Sequence, residues 1–223
     1  MISEEQKNKI WQVLSVFETG KIQGDYASVV VMNDGAENSK QITYGKHQTT
    51  EQGNLKILIQ MYIDNGGEFA DEFHSYVGKI GKTPLASNIA FINLLKKAGA
   101  DSIMHSTQDE FFDKIYYKKA ADFFTDNGFT LPLSMLVIYD SYVHSGSIRP
   151  DIRSQFPEVP PSKGGNEKTW ITQYVNARHN WLKNHSKKIL HKTVYRTECF
   201  KEQIANNNWD LSQSINANGT IIN

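Results

Sequence analysis

Cysteine is almost absent: Cys199 is the only one in 223 residues, so no intrachain disulfide and no multi-cysteine zinc cluster can form. An excess of either charge is also missing. Lys+Arg and Asp+Glu are both 24, for a formal net charge of zero. This excludes a strongly basic, non-specific nucleic-acid binder, which neutralises many phosphates at once. No apolar run approaches the ~20 residues of a membrane span, so membrane insertion is not expected. The opening Met1-Ile2-Ser3-Glu4-Glu5-Gln6-Lys7 lacks the charged-then-apolar pattern of a secretory signal. The seven histidines are scattered with no His-Glu-x-x-His pattern, so neither a metal site nor a cofactor is expected. Repeats and low-complexity stretches are missing too.

What is present is enough apolar residue, 39%, to bury a core. The expectation is one catalytic domain over residues 1–223, folded as two lobes around a cleft. Ser3 with Gln6 reads as a capping box, and Ile10, Leu14 and Phe17 continue as an amphipathic helix to Gly20. Tyr26–Met32 and Lys40–Gly45 read as two strands of a hairpin around Asn33-Asp34-Gly35, the only substantial sheet expected. Helical patterns follow: from Asn54 to Asn65-Gly66-Gly67, Ala86–Ala98, Gln108–Thr125, a nearly all-apolar Leu131–Val143, Glu167–Asn184 and about Lys192–Asn206. Residues 145–165 hold four of the six prolines and read as a loop long enough to suggest a role. Asn216–Gly219 is compatible with a last turn. The class is α+β, mainly helical with one small sheet.

Two acids stand out. Glu18 lies at a helix C-terminus, where the dipole disfavours negative charge. Asp34 lies in the hairpin loop. A glycosidase needs two such carboxyl groups, one to protonate the leaving oxygen and one to activate water or attack carbon. With 24 acidic residues, the pair by itself does not separate catalytic acids from solvated ones.

Val16-Phe17-Glu18-Thr19-Gly20, Tyr26, Asn33-Asp34-Gly35 and Thr49-Thr50-Glu51-Gln52-Gly53-Asn54-Leu55 together resemble the N-terminal segment of glycoside hydrolase family 46, the chitosanases of the lysozyme-like superfamily. Gln41–His47 is similar to the second hairpin strand of phage-type lysozymes. Downstream, Tyr139–Gly146, Gly165–Trp170, Val175–Arg178, and Arg196 ahead of Asp210-Leu211 continue the resemblance in order over most of the chain.

The resemblance implies an inverting, endo-acting hydrolase of β-1,4-linked amino sugars. In it Glu18 is general acid, Asp34 general base, and Thr43 holds the attacking water. Asp140, Arg178 and Arg196 are implied as a buried network supporting the base, with Asn54, His144 and Glu37 at the substrate. Glu37 also competes with Asp34 as base, because the loop reads Asp34-Gly35-Ala36-Glu37-Asn38-Ser39 where the family has Asp-Gly-Arg-Gly. Asn54 stands where the family carries an acid for the sugar ammonium.

These departures favour peptidoglycan as substrate, in a phage lysin or an antibacterial effector, with chitosan as the alternative and a non-catalytic sugar-binding module as a third reading. The partner expected is a polysaccharide, with no nucleic acid and no membrane insertion. A monomer is expected, and the effector reading allows an immunity or inhibitor protein. Without a signal segment, action outside the cell or in the periplasm would follow delivery by another route.

Overall fold

The computed structural model describes residues 2–223. In chain order the elements are α1 (Glu4–Thr19), β1 (Val29–Met32), β2 (Gln41–Tyr44), β3 (Thr49–Thr50), α2 (Leu55–Asp64), α3 (Ala70–Val77), α4 (Ile89–Ala98), α5 (Ser102–Phe112), α6 (Lys118–Asp126), α7 (Pro132–Ser145), α8 (Pro150–Arg153), α9 (Glu167–Asn184), α10 (Tyr195–Ala205), β4 (Ile215–Ala217) and β5 (Thr220–Ile222). The chain forms two compact units: Gln23–Asp113, and the residues up to Ile22 together with Lys114–Asn223.

In Gln23–Asp113, β1, β2 and β3 form an antiparallel sheet in that order, with Val30 opposite Thr43 and Met32 opposite Gln41. Every residue of β2 is buried. Pairing on both edges satisfies its backbone, and both faces are covered, which suits its Ile42 and Tyr44. Helices α2, α3 and α4 build an aromatic core in which Phe73 meets Tyr62 and Phe91 edge-on, at 5.6 and 6.2 Å between ring centroids. Edge-to-face contact matches the positive rim of one ring to the negative face of the next. The Tyr62 hydroxyl donates to Asp101 Oδ2 at 2.6 Å, so this buried phenol is satisfied.

The other unit is organised around α7. Its residues from Pro132 to Ser141 are all buried, as a helix that is apolar all round requires. Helices α1, α6, α9 and α10 pack on it. Leu131 offers no side-chain cap and Pro132 has no N–H, so the first turn of α7 is short of partners. Glu167, from the start of α9, fills that need. Its carboxylate accepts from Thr130 N, Leu131 N at 2.8 Å and Ser134 Oγ at 2.6 Å. Strands β4 and β5 form a hairpin that packs against α1 and α10, turning at Asn218 and Gly219 with φ of 51° and 92°. Two successive positive φ values are the mark of the tight hairpin turn that Asn-Gly serves.

Several expectations are corrected. The sheet has a third strand, and the tail forms a second hairpin, because strands of two or three residues carry no readable alternation. Helix α3 was not foreseen. The helix expected at 108–125 is two helices separated by a π-helical turn at Asp113–Tyr117. An apolar period does not show which core it serves, and here α5 belongs to one unit and α6 to the other. The loop at 145–165 contains α8 and a short 3-10 turn at Pro161–Lys163, each below the length at which periodicity shows. By contrast, the capping box at Ser3 and Gln6, the left-handed stop at Gly20 and the span of α9 are as expected.

Candidate active site

Two groups of predicted residues are gathered, one in each unit. The first is built on the C-terminal turn of α1. A helix leaves its last carbonyls without partners and carries partial negative charge there. Helix α1 has no basic residue in its last turn, and Glu18 adds a further negative group. The missing cation comes from α10. Arg196 Nη2 donates to Glu18 Oε1 at 2.5 Å and to the Phe17 carbonyl at 3.3 Å. The Tyr195 hydroxyl donates to the same carbonyl at 2.8 Å.

The rest of Arg196 faces inward. Its Nη1 donates to Asp140 Oδ1 at 2.7 Å, and Arg178 Nη1 donates to the other oxygen, Oδ2, at 2.6 Å. The side chains of Asp140, Arg178 and Arg196 are 0%, 1% and 5% exposed, and Glu18 is 14% exposed. Asp140 is fully sequestered on α7. Burial pushes its carboxyl up, but Arg178 and Arg196 on either side outweigh this and hold it below the ordinary value. Burial likewise works against the charge of Arg196, and Glu18 and Asp140 overcome it, so the guanidinium is held charged.

The network therefore exists, but its placement corrects one expectation. It was expected to support the base, yet the carboxylate it grips is Glu18, the candidate acid. The reason lies in chain geometry: Arg196 is in the first turn of α10, beside the end of α1, and serves the Phe17 carbonyl as well.

His144, on the last turn of α7, lies near the same charges. Burial first, then Arg196 and Arg178, lower its pKa to about 3 against the weaker pull of Asp140. The imidazole is neutral at ordinary pH. Its Nδ1 is 3.3 Å from Ser145 Oγ.

The second group is the β1–β2 hairpin with its flanks. Asp34 is exposed, and its Oδ1 accepts from Gln41 Nε2 at 3.1 Å. Glu37 is also exposed and sits in a 3-10 turn at Ala36–Asn38 with φ 55° and ψ 31°, followed by Asn38 at φ 59°. Two adjacent non-glycine residues in the left-handed region mark a loop whose shape is imposed by its surroundings. Thr43 is buried in β2, and its hydroxyl donates to Gln48 Oε1 at 2.9 Å. Its oxygen lone pairs stay available as acceptors. Asn54 is half-buried at the N-cap of α2.

Sequence reasoning missed Gln41, Gln52 and Tyr195, and it placed Gln48 at the substrate rather than against Thr43. Tyr195 seals the end of α1. Gln48 meets Thr43, and Gln41 and Gln52 frame the Asp34 loop. Gln41 is only 6% exposed, a burial that its place in the sequence does not announce.

The family model of glycosyl hydrolase family 46 matches residues 12–215. A chitosanase of Bacillus subtilis (strain 168) is 22% identical over 96% of this chain and 82% of its own length. Among solved structures, native chitosanase from Bacillus subtilis MY002 superposes with a TM-score of 0.86 at 19% identity, covering all of both chains. A family 46 chitosanase from Gynuella sunshinyii, in complex with chitotetraose, has a TM-score of 0.84 at 17% identity over 100% of this chain and 98% of that one. The fold is shared with these lysozyme-like enzymes. Peptidoglycan as the favoured polymer finds no support among these relatives; chitosan, the alternative, fits them better.

Proposed function

Because the chain belongs to glycosyl hydrolase family 46, we propose that this glycosidase hydrolyses the β-1,4 linkages of chitosan from within the polymer. The observation that carries the substrate is the run of chitosanases it resembles over nearly its whole length.

In this reading Glu18 protonates the glycosidic oxygen as the bond to the sugar carbon breaks. Proton loss leaves a carboxylate, and Arg196 already stands 2.5 Å from it. A donor in place before charge develops costs no rearrangement during the reaction. Asp140 neutralises one of the two guanidinium groups, so Glu18 meets a single net positive charge. Asp34 takes a proton from water, which attacks the opposite face of the sugar carbon and inverts it. Thr43 contributes a hydroxyl oxygen to hold that water. The exposed acids Asp34 and Glu37 on the hairpin loop suit a polymer of ammonium-bearing sugars, and a neutral His144 adds no repulsion. Peptidoglycan rested on Asn54, the longer loop without arginine, the likeness of Gln41–His47 to phage-type lysozymes and the missing signal segment, and the resemblance to chitosanases over nearly the whole chain outweighs these.

The test is to give the purified protein highly deacetylated chitosan and bacterial sacculi in parallel. Chitosan should be cut to oligosaccharides whose new reducing ends appear first as the α-anomer by NMR. Release of muropeptides with chitosan left intact would overturn the reading.

A further inference from the structure

Gln41 is buried in β2, and its amide uses both ends. Nε2 donates to Asp34 Oδ1 at 3.1 Å, and Oε1 accepts from the backbone N–H of Gln52 at 3.2 Å. An amide taken out of water is costly unless both ends are partnered, and an apolar residue would suit this strand position better. The side chain of Gln52 then reaches back over the same loop. Its Oε1 accepts from Ala36 N at 2.7 Å and its Nε2 donates to Ser39 Oγ at 2.9 Å.

Gly35 is what admits this clamp. A Cβ there would lie 2.6 Å from Gln52 Nε2 and 2.7 Å from Ser39 Oγ. The loop is further closed by Gly35 N donating to Ser39 O at 3.0 Å. Asp34 is thus an exposed carboxylate on a loop tied down on its far side by Gln52, with one oxygen held by Gln41.

We propose that Gln41 is a positioning residue for Asp34. Its amide fixes the carboxylate rotamer and leaves Oδ2 to receive the proton of the attacking water, while Gln52 keeps the loop at the height where that bond can form. The inference rests on the reading of Asp34 as general base. A base free to rotate loses attack geometry rather than substrate affinity, so the effect belongs in kcat and not in KM.

Gln41→Leu should lower kcat on chitosan roughly 10- to 100-fold with KM within about twofold. In an Asp34→Ala background the same change should cost nothing further, because the group it positions is gone. Gln41→Glu keeps the shape and the acceptor for Gln52 but loses the donor. Its deficit relative to the unmodified enzyme should shrink as pH falls towards about 4.3, where a carboxylic acid regains an O–H to donate. A merely structural role for the amide predicts no such recovery. Thermal unfolding of each variant identifies any that fails to fold, and the isosteric Gln41→Glu decides the matter if Gln41→Leu does. The inference is overturned by a kcat within twofold of the unmodified enzyme in a folded variant, or by an equal loss with and without Asp34. If Asp34→Ala itself keeps full turnover, it is the base assignment that fails.

Discussion

Arg196 and Glu18 are 178 residues apart in the chain and 2.5 Å apart at their nearest polar atoms. The contact joins the end of one helix to the start of another. It gives the α1 terminus the cation its own last turn lacks, and it ties Glu18 to the buried Asp140–Arg178 pair.

Glu18→Gln keeps an oxygen for Arg196 and so should keep the fold. It has no proton to give the leaving oxygen, and the rate on chitosan should fall by about 10²- to 10⁴-fold. Thermal unfolding and a reducing-end assay on the same preparation check both halves. Retention of more than about a tenth of the rate would remove Glu18 from the acid role.

Removing Arg196 leaves Glu18 without its ion-pair partner and Asp140 with Arg178 alone. Arg196→Ala should destabilise the protein by about 3–5 kcal/mol, the cost of breaking a buried ion pair from one side. Urea unfolding measures it. A loss below about 1 kcal/mol would mean the pairing is worth no more than a surface salt bridge.

Asp34 and Glu37 share one loop but differ in support. Only Asp34 is held by Gln41. Asp34→Asn should lower turnover by about 10²- to 10⁴-fold, whereas Glu37→Gln should reduce it much less. The reverse ranking of kcat would move the base to Glu37.

His144 makes stability depend on pH with a definite sign. Its folded pKa of about 3 lies below the ordinary 6.5, so the unfolded chain binds the proton first as pH falls. The stability this group contributes is whole above 6.5 and is lost as pH drops through that window towards 3. His144→Gln should flatten the curve of unfolding free energy against pH there by up to about 1.4 kcal/mol per pH unit. The buried His47 acts in the same direction and should leave the variant with some slope.

Glu167 tests the fold apart from the chemistry. Glu167→Ala removes the acceptor from the first turn of α7 and should cost about 1–3 kcal/mol, with kcat unchanged. A fall in kcat without loss of stability would give Glu167 a role at the substrate.

The elements legible in sequence were those with strong local signals. Ser3 and Gln6 announce α1, Gly20 ends it, and the apolar run after Leu131 can only be a buried helix. The Asp140, Arg178 and Arg196 set was legible through its resemblance to a family pattern, but the carboxylate it grips was not. Spacing along a chain does not say which helix end a guanidinium will reach. Gln41, Gln52 and Tyr195 were invisible for a related reason. Amide and phenol partners are chosen in three dimensions, and nothing about a glutamine in a strand names the acid it will hold.

The unit that carries Glu18 is discontinuous in sequence: its first helix is made before Gln23–Asp113 and the remainder after. During vectorial synthesis the intervening segment is complete while α1 still has no α7, α9 or α10 to pack on. Domains gather as their own segments emerge, so Gln23–Asp113 has a head start, and α1 must wait as an amphipathic segment without a seat. The pairing of Arg196 with Glu18 is then among the last contacts the polypeptide makes. The nascent protein carries its acidic residue for most of translation without the surroundings that equip it for hydrolysis.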